Sequence, residues 1–305
     1  MGRLAAIFYP YLAAGAIVFA VVGVRYSLVP IVGYAVPFTP LYVAVTLVAI
    51  YHGAGPTVLA FLLGYLLSDY LFMAPRGSVL MTETLKQATG LPAFIANDAF
   101  CATLAELRHG AGRGCRYMAL LTLGTGVGGG IAIENKVLRG PRQILGEVGH
   151  LVIEPGGPRC GCGNHGCLEA LTGRQPICDR AILKLQQGRA SRLADAVGAD
   201  HEKIDPRLIA DLAREGDLLC QEVMDEVGYY LGLAISNIIV LCDPDKVVLG
   251  GGISGAGETL FGSIRRTVRH VSRISRFDPD QIVAAALGNQ AGMVGAGTLV
   301  WEHLG

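Results

Sequence analysis

Residues 146–173 read GEVGHLVIEPGGPRCGCGNHGCLEALTG. The run holds Cys160, Cys162 and Cys167 in a Cys-x-Cys-x4-Cys pattern, with His150 ten residues ahead of the first thiol. Sulfur and imidazole donors, four in number, are what a tetrahedral structural zinc takes, and the short loops bring three of them together at little cost in closure entropy. Gly161, Gly163 and Gly166 supply the tight turns that aim several sulfurs at one centre. Cys160 and Cys162 are too close in sequence to pair comfortably with each other. A redox pair or unconnected buried thiols are the other readings, and His165 competes with His150 for the fourth position.

Outward from this cluster the chain alternates strand-like and helix-like stretches, the pattern of an α/β domain. PAFIA (92–96) reads as a short strand ending at Asn97-Asp98, and a helix follows from Asp98 to about Arg108. In isolation the Asn-Asp pair is a good cap for that helix. YMALLTL (117–123) and IAIENKVL (131–138) read as strands around a glycine-rich turn, GTGVGGG, at 124–130. Such a turn lets amides approach phosphate, and it equally suits a flexible hairpin. A mainly helical region extends from Leu168 to about Asn237, where DEVGYYLGLAISNII has the apolar spacing of a core helix. Lys246 to Leu249 then forms a buried strand that runs into Gly250, Gly251 and Gly252 and a helix near Gly257 to Val271.

The opening run and four others, IANDAFCATLAE, LTLGTGVGGGIAI, EGDLLCQEVMDEVGYYLGLAISNIIVLCDPDKVVLGGGIS and AALGNQAGMVGAGTLV, resemble in order and spacing the ROK family of repressors and sugar kinases. The resemblance runs from about Met81 to the end. It implies an actin-like, ribonuclease-H-like ATPase fold and ATP-dependent phosphorylation of a hexose or N-acetylhexosamine, as in glucokinases. Asp98 then matches the catalytic base, which takes the proton of the sugar hydroxyl as it attacks the γ-phosphate. Asn97, Glu147, His150 and Glu169 match the remaining sugar-binding side chains. Gly124, Thr125, Gly126 and Gly128 match the second phosphate loop, and Gly250, Gly251 and Gly252 match the adenosine loop, with Mg2+ bridging the phosphates. His150, Cys160, Cys162 and Cys167 match the ligands of a structural Zn2+ that clamps the sugar-contact loop, which leaves His165 a bystander. One imidazole nitrogen on the metal leaves the other for a sugar hydroxyl. The resemblance also makes a homodimer an expected assembly.

The beginning of the chain has another character. Overall there are 25 basic and 25 acidic residues, so charge gives no footing for nucleic acid or a polyanionic partner. Mean hydropathy is nevertheless +0.45, and Arg3, Arg25 and Asp69 are the only charged residues between Met1 and Ala74. Leu4 to Val24 is an uncharged run of the ~20 residues that cross a ~30 Å hydrocarbon core as a helix. Val36 to Ile50 and Thr57 to Ala74 follow, with His52 to Pro56 as a turn between them. We read 1–80 as an all-α membrane region of about three spans and 81–305 as the kinase-type domain. Arg25, Arg76 and Lys86 outweigh Arg3, which puts the larger domain in the cytoplasm. All eight cysteines lie in that domain, where a reducing compartment keeps them as thiols or metal ligands. The pattern from Val36 to Ser78, and in particular YHGAGPTVLAFLLGYLLSDYLFMAPRGS (51–78), resembles the multi-pass membrane part of bacterial histidine kinases of the potassium-sensing type, although no histidine-kinase core follows.

ROK kinases open on a first lobe whose hairpin carries an Asp-x-Gly-Gly-Thr-like loop, and no such sequence precedes Asp98. The resemblance therefore implies an incomplete first lobe and an N-terminally truncated kinase domain. A sugar kinase is the leading reading. Its rival is a catalytically inactive, membrane-tethered protein that binds sugar or nucleotide or regulates. A DNA-binding repressor of the family would carry a helix-turn-helix, and none is visible.

Overall fold

Buried apolar residues from Met118 onward assemble a five-stranded mixed sheet in the order β3-β2-β1-β4-β5. The structure is a computed structural model that describes residues 2–27, 45, 48–51, 54, 56–63, 85–142, 144–198 and 200–304. It divides into two compact units, Met1–Ala96 and Asn97–Gly305, with the turn Gly161–Gly163 grouped with the first.

In the first unit, α1 (Gly2–Ser27) is a single helix of 26 residues spanning the first apolar run. Ala14, Val18 and Val22 recur at helical spacing and are buried in a cluster with Val48 and Ala60. Tyr9, Leu12, Phe19 and Val24 on the same helix are exposed, so α1 is apolar around its circumference. The second and third expected spans lie largely outside the described residues, within which residues 48–51 and 56–63 are helical.

The second unit opens with α2 (Asp98–His109), followed by β1 (Met118–Leu123), β2 (Val127–Ile133) and β3 (Lys136–Val137). β1 and β2 form an antiparallel hairpin running from Met118↔Ala132 to Leu123↔Val127. Glu134 and Asn135, both at positive φ, turn the chain tightly into β3. Five helices come next: α3 (Leu168–Thr172), α4 (Arg174–Gln186), α5 (Arg192–Val197), α6 (Pro206–Arg214) and α7 (Leu218–Cys242). β4 (Lys246–Gly250) returns parallel to β1, and α8 (Glu258–Val271) leads to β5 (Ile282–Ala284), parallel to β4, before α9 (Ala291–Leu304) ends the fold. β1 and β4 are almost wholly buried, as parallel strands covered on both faces are.

The stretch expected to be a core helix is α7. By length and composition α7 could cross a membrane, yet half of its apolar window is buried inside the fold. A Cβ at Gly228 would stand 2.4 Å from the Ser263 Cβ, and one at Gly232 2.5 Å from the Thr267 Cβ. The two glycines thus let α8 lie directly against α7. Near the sheet edge, the fully buried Glu106 accepts N–H bonds from Ala111 (2.8 Å), Ala286 (3.1 Å) and Leu287 (2.8 Å). That carboxylate ties the end of α2 to the segment entering α9.

Two sequence expectations need correction. PAFIA forms no strand, because none of the described strands offers it a ladder, and a strand exists only through its partner. The glycine turn is shorter than GTGVGGG: only Gly124, Thr125 and Gly126 turn, and Gly128, Gly129 and Gly130 lie inside β2. Their role there is to make room, as the site shows.

Candidate functional site

Glycine at 130 is dictated by the close approach of α2, and at Gly128 α2 and the Thr122 side chain, 2.8 Å from a Cβ placed there, crowd the same space. On Gly130 a Cβ would fall 2.2 Å from the Thr103 Oγ1, and on Gly128 it would fall 3.1 Å from the Ala99 Cβ. α2 therefore rests on bare backbone, with its first turn at the strand end nearest the Gly124–Gly126 turn. Asn97 caps α2: its Oδ1 accepts the N–H groups of Ala99 (2.7 Å) and Phe100 (3.3 Å). The capping reading and the site reading of Asn97 are compatible, since capping uses the side-chain oxygen and leaves the amide NH2 as a donor. Asp98 Oδ1 accepts the Ala99 N–H at 2.8 Å, which fixes the carboxylate at the helix start.

The two glycine turns meet because β1 and β4 are parallel neighbours, Thr122 pairing with Gly250. Gly251, at φ +83, crosses so close to the end of β1 that a Cβ would lie 2.2 Å from the Leu123 carbonyl oxygen. Both turns thus sit at the carboxyl ends of adjacent parallel strands, where α/β sheets hold their ligands.

The cysteine loop is pinned as an irregular hairpin. Ile153 N–H donates to Gly166 O at 2.8 Å, Leu168 N–H to Leu151 O at 2.9 Å and Cys160 N–H to Asn164 O at 2.8 Å. Its donor atoms converge: one ligand atom from each of His150, Cys160, Cys162 and Cys167 lies within 4.8 Å of all the others. A tetrahedron of ~2.3 Å metal–sulfur bonds spaces its corners ~3.8 Å apart, so this set of three sulfurs and one nitrogen fits a zinc ion after slight contraction. His150 Nδ1 faces the Cys160 sulfur at 3.6 Å, leaving Nε2 as the second ring nitrogen. His165 instead directs Nδ1 to the Gly157 carbonyl at 3.2 Å and stands outside the cluster. No disulfide joins any of the eight cysteines. Burial pushes the Cys220 thiol up to about 12 and raises Cys101, Cys115, Cys178 and Cys242 as well, which disfavours the thiolate form at all five.

Glu169, on α3, links the parts. Its Oε2 accepts the Val127 N–H at 3.0 Å, and its Oε1 lies 3.8 Å from the Cys160 sulfur. Gly126 is glycine for this reason, since a Cβ there would stand 2.2 Å from Glu169 Oε2.

Two cavities open on this arrangement. One of about 420 Å3 is lined by Asn97, Asp98, Glu147, His150 and Glu169 together with Gly124, Thr125, Gly126, Gly128 and Gly251. The other, of about 620 Å3, shares Gly124 and Thr125 and continues along Gly252, Ile253 and α6. Gly250, expected beside the nucleotide, is the last residue of β4 and lines neither of these two cavities. The second cavity also has walls that sequence reasoning did not single out: Arg174, Asp205, Arg207, Asp211 and Arg214. The start of α6 at Asp205-Pro206, a cap followed by proline at the first helical position, lies inside the region read only as mainly helical, and its position against the glycine turns comes from the tertiary fold.

A search of family models aligns residues 78–303 with the ROK family and residues 11–107 with a domain of unknown function termed DUF4118. The chain is 38% identical to a glucokinase of Thermotoga maritima over 75% of this chain and 72% of the relative. It is 31% identical to the DNA-binding transcriptional repressor Mlc of Escherichia coli, over 70% of this chain and 51% of the repressor. Among solved structures, a ROK family glucokinase from Streptomyces griseus in complex with glucose and AMPPNP superimposes with a TM-score of 0.65 at 34% identity, covering 72% of this chain and 71% of that one. The mixed sheet, the cavity shared by carboxylates and glycine turns, and these likenesses define the actin-like sugar-kinase fold of the ROK proteins. The chain belongs to the ROK family.

Proposed function

We propose that this chain is an ATP-dependent sugar kinase acting on a hexose or N-acetylhexosamine. The observation that carries the reading is the single cavity that holds Asp98, Glu147, His150, Glu169 and the Gly124–Gly126 turn around one space. A sugar seated there meets acceptors from three carboxylates and donors from the Asn97 amide. Asp98 accepts a hydrogen bond from the reacting hydroxyl and then its proton, as general base. The neighbouring turn offers backbone amides to the phosphates of ATP, which enters from the larger cavity with Mg2+. Phosphoryl transfer asks mainly for positioning and charge stabilisation, and the shared wall at Gly124 and Thr125 brings the two substrates together. His150, Cys160, Cys162 and Cys167 hold a structural Zn2+ in this reading. Bound there, it supplies a rigid anchor and no reacting atom, and His150 presents Nε2 to the sugar. We further assign residues 1–80 to the membrane, which the apolar circumference of α1 supports, with residues 81–305 as the cytoplasmic kinase domain.

The test is sugar-dependent ADP release by the full chain with Mg-ATP and glucose, N-acetylglucosamine, N-acetylmannosamine or fructose. Turnover with one of these sugars, lost in Asp98→Asn while sugar binding persists, is the expected result. Absence of turnover from folded, zinc-loaded protein, or turnover unchanged in Asp98→Asn, refutes the assignment.

A further inference from the structure

The larger cavity carries five ionisable side chains whose charges do not cancel. Asp205 accepts the Leu208 N–H at 2.7 Å as the cap of α6, and Asp211 is paired with Arg214. Both acids are therefore committed within α6 itself. Arg174 and Arg207 line the same cavity, both exposed, and neither side chain makes a hydrogen bond or ion pair with the described residues. The charge left over is positive.

Arg174 is also fixed in place. Its backbone N–H donates to Gly124 O at 3.1 Å, so its Cα stands one hydrogen bond from the turn that the two cavities share. A guanidinium is permanently charged and planar and offers two parallel donors, the geometry that matches a phosphate. We propose that Arg174 and Arg207 contact the phosphate chain of the nucleotide and set the preference of this cavity for nucleoside di- and triphosphates over the nucleoside. The proposal rests on the nucleotide reading of the cavity given above. Arg174, the nearer to the turn, takes the phosphates that lie against Gly124 and Thr125. Arg207 meets the chain from the α6 side.

The experiment is titration calorimetry of the full chain with Mg-ADP and, separately, with adenosine, for wild type, Arg174→Gln, Arg207→Gln and Arg174→Lys. Each glutamine variant is expected to weaken ADP by roughly 10-fold or more, the equivalent of one lost charge-assisted hydrogen bond, and to leave adenosine unchanged. Arg174→Lys recovers part of the loss, and the difference between wild type and Arg174→Gln shrinks as salt is raised. Equal loss of ADP and adenosine overturns the proposal, because it marks a general disturbance of the pocket; so does an unchanged ADP affinity. A wild-type chain that binds neither compound overturns the nucleotide reading itself, and a chain that binds adenosine and ADP equally well overturns only the role of the arginines. Both side chains are exposed, so the variants retain the wild-type melting temperature.

Discussion

Gly130→Ala is the sharpest test of how α2, the helix that begins at Asn97 and Asp98, is held. The new methyl group would arrive 2.2 Å from the Thr103 Oγ1 and 2.9 Å from its Cβ. Thr103 is fully buried, and its hydroxyl donates to the Ala99 carbonyl at 2.7 Å, so it has nowhere to retreat without breaking that bond. Overpacking of this kind costs ~1–3 kcal/mol, and the lost hydrogen bond adds ~1 kcal/mol. A total of about 2–4 kcal/mol lowers the melting temperature by roughly 4–16 °C in a domain of this size. Relief comes by moving α2 away from β2, which shifts Asn97 and Asp98 from the glycine turn, so sugar affinity falls together with stability. Thr103→Ala leaves the Cβ at 2.9 Å as the nearest contact, and the double variant Gly130→Ala/Thr103→Ala is accordingly less destabilised than the sum of the two single variants. Melting curves of the four proteins decide it. An unchanged melting temperature for Gly130→Ala, or strict additivity, refutes the claim that α2 is seated on bare glycine backbone.

Other expectations follow from single contacts. Cys162→Ser lowers the zinc content per chain measured by plasma emission and loosens the loop between His150 and Cys167; unchanged zinc would sink the metal assignment. Glu106→Gln replaces one carboxylate oxygen with an NH2 facing backbone donors, and a cost of ~2–4 kcal/mol in chemical denaturation is expected, with no loss meaning that the buried clamp contributes little. Burial alone would raise the Asp217 carboxyl, but the N–H groups of Cys220 and Arg192 and the Ser191 hydroxyl outweigh it and hold the group below the ordinary carboxylate range. A folded pKa below the unfolded one contributes stability above the unfolded value and loses it as pH falls through the folded value. Urea midpoints at neutral and strongly acidic pH should therefore fall more for wild type than for Asp217→Asn, and parallel curves would contradict this.

The central strands and α7 were legible because their signals are local: the continuous β-like apolar run of YMALLTL, the short apolar run before Gly250, and the apolar repeat of α7. The cysteine cluster was legible by donor type; spacing left His150 and His165 open, the family resemblance favoured His150, and in the structure His165 turns to the Gly157 carbonyl. Three features escaped. The run Gly128 to Gly130 reads as a loop in sequence because glycine signals both freedom and close approach, and only the packing of Ala99 and Thr103 reveals the second. PAFIA has strand-like composition but no neighbour among the described strands, and pairing is a property of two segments rather than one. The arginines of the larger cavity stood unnoticed because α4 and α6 are far from the glycine turns in sequence and meet them only through the fold.

Glu147, His150, the three cluster cysteines and Glu169 all belong to one uninterrupted segment hung between β3 and α3. None of them is carried on the sheet. The segment meets β2 where Glu169 accepts the Val127 N–H and Gly149 passes close over the Val127 carbonyl, and Val148 and Leu168 anchor it in the main core. On the proposed function, exchanging this one segment would replace Glu147, His150 and Glu169 together while Asn97, Asp98 and the glycine turns stay as they are, so the sugar wall has two separately inherited halves.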